Sequence, residues 1–141
     1  MGTARVRLVR DRAALNALLT SPQGGVAKDL FRRATNVQNR AKRNLERQPR
    51  RVDTGNLRAD IHVQVLTFAG KPAVRVGFNL FYGLYVHDGT GIYGPKGTPI
   101  TPRSAKFLRW KSKSGKWMYA RSVKGMRPNP FLADAVVAAK D

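Results

Sequence analysis

The stretch Phe78–Gly97, FNLFYGLYVHDGTGIYGPKG, decides how the rest of the chain is read. It opens at the end of an alternating run, Ala73–Phe78, that predicts a β-strand. It continues through Phe81, Tyr82 and Tyr85, and it ends in Asp88-Gly89-Thr90-Gly91 and Tyr93-Gly94-Pro95. Aromatic side chains bury large areas, and glycine admits tight or left-handed backbone. An anchored segment therefore runs straight into a freely shaped excursion, His87–Ala105. A structureless connection of that length is uncommon inside a compact domain and is usually functional. The residues before this stretch read as scaffold, and those after it read as the return.

Working backwards, Ile61, Val63 and Val65 alternate with His62, Gln64 and Leu66 around one core face. With the turn Ala69-Gly70-Lys71-Pro72 and the run Val74, Val76, Phe78, this predicts an antiparallel hairpin, with His62 on its polar side. Val52-Asp53-Thr54-Gly55-Asn56-Leu57-Arg58 comes before it. Asp and Thr side chains bond nearby amides and Gly55 permits a turn, after which Leu57 starts a short helical turn or leads directly into a strand. Asp-Thr-Gly also serves aspartyl proteases, but that chemistry needs two adjacent carboxylates. The motif occurs once here, in a basic chain, so a structural turn is the better reading.

A long helix is predicted over Val26–Gln48. Val26, Leu30, Ala34, Val37, Ala41 and Leu45 draw one apolar stripe, and Pro49 stops it. Its basic residues, with Asn36, Gln38, Asn39 and Asn44, suit either DNA or an ordinary solvated face; without a helix-turn-helix partner the solvated face is favoured. Further back, Asp11 caps a short helix through Leu19. Ser21-Pro22 is a second start signal that Gly24-Gly25 weakens, moving the firm start toward Val26, and Ala4–Val9 alternates as an edge strand.

Working forwards, Lys106–Trp110 and Lys116–Val123 predict a second hairpin around the turn Lys111–Gly115. Its basic residues interleave with Phe107, Trp110, Trp117 and Tyr119. That mixture suits a single-strand stacking platform, though such aromatics more often fill a core or an interface. Asn129 as cap and Pro130 at the first helical position then introduce a closing helix with Phe131, Leu132, Ala135, Val136 and Ala139. Helices followed by hairpins predict an α+β fold: one long amphipathic helix on a small antiparallel sheet of hairpins, a long Gly/Pro-rich loop and a C-terminal helix. The 141 residues read as a single domain, 1–141, without repeats or linkers.

Net charge is +19, carried by 27 Lys and Arg against 8 Asp and Glu. Ten of the basic residues, and no acid, lie between Gly89 and Ala133. Such a field attracts polyanions, nucleic acid first among them. Arg103, Lys106, Lys111, Lys113 and Lys116 are the candidates to face DNA, although acidic protein partners would serve equally. There is no Cys, and no apolar run approaches the ~20 residues that span a bilayer or the core of a secretory signal, so a protein made and used on the cytosolic side is expected. The two histidines, His62 and His87, have no metal-ligand spacing around them, and the carboxylates are scattered. No nucleophile elbow, phosphate loop or dinucleotide fingerprint is present. No catalytic, cofactor or metal residue is expected, and no enzyme.

Three segments in order resemble the neck or tail-completion proteins of long-tailed bacteriophages, which join head to tail. They are Val52–Arg58 followed by a strand; Val76-Gly77 leading to Tyr82, Tyr85-Val86 and Gly89-Thr90-Gly91; and Gly125 with Pro128-Asn129-Pro130-Phe131-Leu132 and Ala135. The resemblance covers about Val26–Ala139 and leaves out Met1–Thr20. At His87 the family often carries Glu. The resemblance implies a structural virion protein at the head–tail junction, made in the host bacterial cytoplasm. It implies a sixfold or twelvefold homo-oligomeric ring around nonspecifically held double-stranded DNA, with head-completion and tail-terminator proteins as partners and no membrane. On this reading Tyr82, Tyr85, Val86, Gly89, Thr90, Gly91, Ile92 and Tyr93 belong to a subunit or partner interface. Asp53, Thr54, Gly55, Leu57, Pro128, Pro130 and Phe131 are structural motif residues. The loop Asp88–Arg103 is expected to be mobile in an isolated chain and ordered across that interface. The competing class is a small, basic, nonspecific nucleic-acid-binding protein.

Overall fold

A computed structural model describes residues 10–47 and 52–139. The edge strand expected at Ala4–Val9 lies outside them, as does Pro49; the long helix ends at Glu46 with Arg47 extended behind it, two residues before the expected end at Gln48. Helix α1 (Arg12–Thr20) starts where Asp11 Oδ1 accepts the amides of Ala13 and Ala14, each at 3.0 Å. Ser21 ends this helix rather than starting the next, its amide donating to the Ala17 carbonyl. Helix α2 (Gly25–Glu46) then begins directly after Gly24, one residue before the predicted firm start. Its buried line is Ala27, Ala34, Ala41 and Leu45, with Val26, Leu30 and Val37 half-buried beside it, so the apolar stripe lies where its periodicity put it.

On the exposed side of α2, Asp29 pairs with Arg32 and Arg33, each at 2.7 Å. The Arg32 guanidinium first, and then Arg33, hold the Asp29 carboxyl below its ordinary value of 3.8. The carboxylate form is thus favoured by folding. Its contribution is present above 3.8 and disappears as pH falls through the depressed folded value. Side-chain NMR titration should place the Asp29 midpoint below 3.8, and Arg32→Gln should raise it; a midpoint unmoved by that substitution would contradict the pairing.

Helix α3 (Asn56–Asp60) is the short helical turn after Asp53-Thr54-Gly55. Gly55 stands before it at φ 86°, and no atom would crowd an added Cβ. The cost of a side chain there is therefore backbone strain alone. Gly55→Val should destabilise the fold by about 1–3 kcal/mol; an unchanged denaturation midpoint would remove the left-handed turn from the account of this motif.

Strands β1 (His62–Phe68) and β2 (Lys71–Gly77) pair antiparallel, with Val63 opposite Val76 and Val65 opposite Val74. The hairpin outruns the core. Val76 packs against it, whereas Val65, expected on the core face, is about half exposed and Phe68 at the tip is 74% exposed. Strands β3 (Leu108–Lys111) and β4 (Trp117–Ala120) form a second, separate two-stranded sheet. They are shorter than predicted, because Lys106, Phe107 and Arg121–Val123 fall outside the ladder and Lys111 lies in the strand rather than in the turn. Helix α5 (Phe131–Val137) closes the described chain.

The core is small: Ala41 and Leu45 from α2, Leu57 and Ile61 around α3, and Phe131 and Ala135 from α5. Phe131 is its largest fully buried side chain, with its ring 5.5 Å from that of Phe78. Three polar side chains lock the layers. Gln38 Nε2 donates to the Ile61 carbonyl at 2.7 Å, Asn44 Nδ2 to the Phe131 carbonyl at 3.0 Å, and Asn129 Nδ2 to the Asn44 carbonyl at 3.3 Å. Gln38 and Asn44 thus work inside the fold, and Asn129 ties α5 to α2 instead of capping α5, whose first turn follows Pro130.

Candidate functional site

The aromatic segment after β2 is helical. Helix α4 (Tyr82–Asp88) was expected as the start of a loop. Asp60 sets it up: its Oδ2 accepts the Leu80 amide at 2.8 Å and the Asn79 amide beside it. Tyr82 and Val86 turn toward the core, and Tyr85 and Leu84 turn out to solvent. His87 lies edge-on to Phe131 at 5.4 Å and shares a hydrogen bond of 2.6 Å with Asp88.

The excursion beyond α4 is tied down rather than free. The amides of Thr90 and Ile92 donate to the carbonyls of Met126 and Lys124 at 2.8 and 2.9 Å. Thr90 Oγ1 accepts the Met126 amide at 2.9 Å, and Asn129 donates to the Val86 carbonyl at 2.9 Å. A single 3-10 turn, Gly91–Tyr93, comes next, and Ile100 and Val123 then exchange both backbone hydrogen bonds at 2.9 and 3.0 Å. This differs from the expected mobile loop for a physical reason: Lys124–Pro128 gives its amides and carbonyls a partner within the same chain. Thr90 is thereby an internal backbone partner, with Gly89 buried beside it and Gly91 close against Lys124. Ile92 stays exposed, and Tyr93 is half-buried with the Arg127 guanidinium 5.4 Å from its ring. An open groove of about 720 Å³ remains, bordered by Leu84, Tyr85, Asp88, Pro95, Ile100 and Arg103.

The motif residues have local duties. Thr54 Oγ1 accepts the Asn56 amide at 3.4 Å, Leu57 is buried, and Asp53 reaches Lys113 in the β3–β4 turn at 3.1 Å. That last pair is solvent-exposed on both sides, so it orients more than it stabilises. Pro128 and Pro130 flank Asn129 and deliver Phe131 to the core.

The β3–β4 hairpin has two different faces. Leu108 and Trp110 stand opposite Ala120 and Met118, giving one apolar face; Arg109 and Lys111 stand opposite Tyr119 and Trp117, giving a cationic and aromatic one. On the second, the Arg109 guanidinium lies 4.0 Å from the centre of the Trp117 ring and Lys111 Nζ lies 5.7 Å from it. Among the described residues, neither face is packed extensively on another helix or strand. Trp110, Met118, Trp117 and Tyr119 all remain exposed. Of the residues expected to face DNA, Lys111, Lys113 and Lys116 sit on this hairpin, and Arg103 and Lys106 lie exposed on the approach to it. Arg109 was missed, although alternation about a turn at Ser112–Gly115 puts it on the same face as Lys111.

Exposed apolar side chains recur elsewhere: Leu15, Leu18 and Leu19 on α1, Phe31 on α2, and Phe81 before α4. The whole chain exposes 11423 Å², whereas a compact domain of its 15.7 kDa exposes about 7,300 Å². Granting the undescribed residues their full unfolded surface, about 2,400 Å², still leaves the rest roughly a third more exposed than a compact domain. Among the described residues no three His, Cys, Asp or Glu side chains cluster as a metal site, and no helix is long and apolar enough to cross a membrane. No family model matches the chain, and neither a curated protein nor a solved structure shows significant similarity to it.

Proposed function

We propose that this chain is a noncatalytic structural protein of a phage head–tail connector, or neck. Copies of it would join as a ring that links head to tail and encloses the DNA passage. The observation that carries this reading is the β3–β4 hairpin. An isolated two-stranded hairpin is marginal in water, and among the described residues this one has no other helix or strand packed extensively on it, with Leu108 half-buried and Trp110 and Met118 exposed. The uncovered side chains of α1 and the groove beside Tyr85 are different in shape and chemistry from that apolar face. Unlike patches that meet head to tail give a ring when the rotation closes. The excess exposed surface is of the size that subunit interfaces bury. Head-completion and tail-terminator proteins on either side of the ring, and a place at the virion's head–tail junction, belong to the same proposal.

The second reading, a nonspecific nucleic-acid-binding protein acting alone, is favoured by the Arg109–Trp117 stack and the +19 charge. Salt separates the two. Sedimentation velocity of the chain without DNA, from about 50 to 200 mM salt and beyond, should show an assembly whose size persists, because apolar contacts are not screened. A chain that sediments as a monomer at every salt and shifts duplex DNA only at low salt would favour the second reading and sink the first.

A further inference from the structure

We propose that the cationic face of the β3–β4 hairpin is a phosphodiester-binding surface for nucleic acid, centred on Arg109. The inference rests on DNA being the polyanion that both functional readings give this chain.

Four features converge on that face. Arg109, Lys111 and Trp117 form one stacked group, with the guanidinium 4.0 Å and the ammonium 5.7 Å from the ring centre. Stacking leaves the in-plane N–H groups of a guanidinium free, and these form the fork that takes two phosphate oxygens. A guanidinium already held on an indole also loses less freedom when it binds. Tyr119, opposite Arg109 and 60% exposed, adds a second ring to the same face. Lys113 and Lys116 flank the group at the turn, and no acidic residue occurs between Gly89 and Ala133 to compete for these cations from within that segment. Among the described residues, the one carboxylate paired with the hairpin, Asp53, engages Lys113 at the turn and leaves Arg109 and Lys111 to the open face.

The opposite, apolar face explains the orientation. A hairpin seated on a neighbouring subunit through Leu108, Trp110 and Met118 presents Arg109, Lys111, Trp117 and Tyr119 away from that contact. One short ribbon can thus serve assembly on one side and nucleic acid on the other. Both ring faces and cations also suit an unpaired strand, whose bases stack on exposed aromatics, whereas a duplex offers phosphates alone to this face.

The test is a salt series of binding isotherms for a labelled single-stranded oligonucleotide and its duplex, using the full chain and two charge-matched double variants. Arg109→Gln with Lys111→Gln should weaken binding by about tenfold or more and lower the salt slope by about two. Lys28→Gln with Arg40→Gln, which removes the same charge from the exposed side of α2, should change affinity by about twofold or less. Equal losses in both variants would show a diffuse field with no site and would overturn the proposal. A second readout needs no charge change. In a Trp110→Phe background Trp117 is the remaining tryptophan, and its emission should change on saturation with nucleic acid. Unchanged emission overturns the proposal. A larger change with the single strand identifies stacked bases as the ligand, and an equal change with the duplex identifies the phosphates; both outcomes support the surface. A chain that assembles normally yet shows no hairpin dependence sinks this inference alone. A chain that binds through the hairpin but never assembles sinks the ring alone.

Discussion

Gly125→Ala is expected to destabilise the fold by about 2–5 kcal/mol, a large part of the ~5–15 kcal/mol that holds a typical domain. Gly125 has φ 89°, and a Cβ there would fall inside 3.0 Å of the Thr90 carbonyl. Gly91, at φ 65°, meets the Lys124 carbonyl in the same way from the other strand. The two segments approach so closely that neither tolerates a side chain, and the obstructing atoms are backbone, which cannot swing aside. Urea denaturation followed by circular dichroism should show the lowered midpoint with an unchanged slope. A loss below about 0.5 kcal/mol would mean that Gly89–Ile92 and Lys124–Met126 are not held together in solution, and the expected mobile loop would then be the better description.

Phe131→Ala should cost about 3–5 kcal/mol. The side chain is fully buried between Leu45, Ile61 and Phe78, and its ring also supports His87. Its carbonyl receives Asn44, so the same residue fixes α5 on α2 through both side chain and backbone. Removing the ring leaves a cavity in a core with few other large side chains to fill it. Near-ultraviolet circular dichroism and a denaturation curve check this. A variant within about 1 kcal/mol of the parent would show that the α2–α5 contact is not the centre of the fold.

Several elements were legible from local pattern alone. The α2 stripe keeps a helical period along its whole length, and both hairpins alternate about Gly-containing turns. The left-handed turn before α3 follows from Gly55, and the α1 cap follows from Asp11. What local pattern missed depends on distant partners. Phe81–Val86 reads as an aromatic loop because aromatics and an internal glycine are poor helix formers. It is helical because Asp60, nineteen and twenty residues earlier, takes the amides of Asn79 and Leu80. Val65 alternates correctly, yet it is exposed because β1 runs past the end of the core. The tie between Thr90 and Met126 could not be read from either segment, since each is merely glycine-rich by itself. At the candidate site, the lysines were visible as charge, whereas the Arg109–Trp117 stack needed the β3–β4 register.

The same geometry connects stability to assembly. Ile100–Val123 and Thr90–Met126 tie the excursion to the strand-like return, and the β3–β4 hairpin is the segment between these ties that no other described helix or strand packs against extensively. In the proposed ring, its apolar face would seat on a neighbouring copy through Trp110 and Met118, both exposed. Negative-stain electron microscopy of the purified chain tests the ring most directly. Class averages should show closed rings of one symmetry with a central opening, lost when Trp110 and Met118 are replaced by serine. Particles of monomer size alone would contradict the ring, and rings unaffected by that double replacement would contradict the hairpin as its contact.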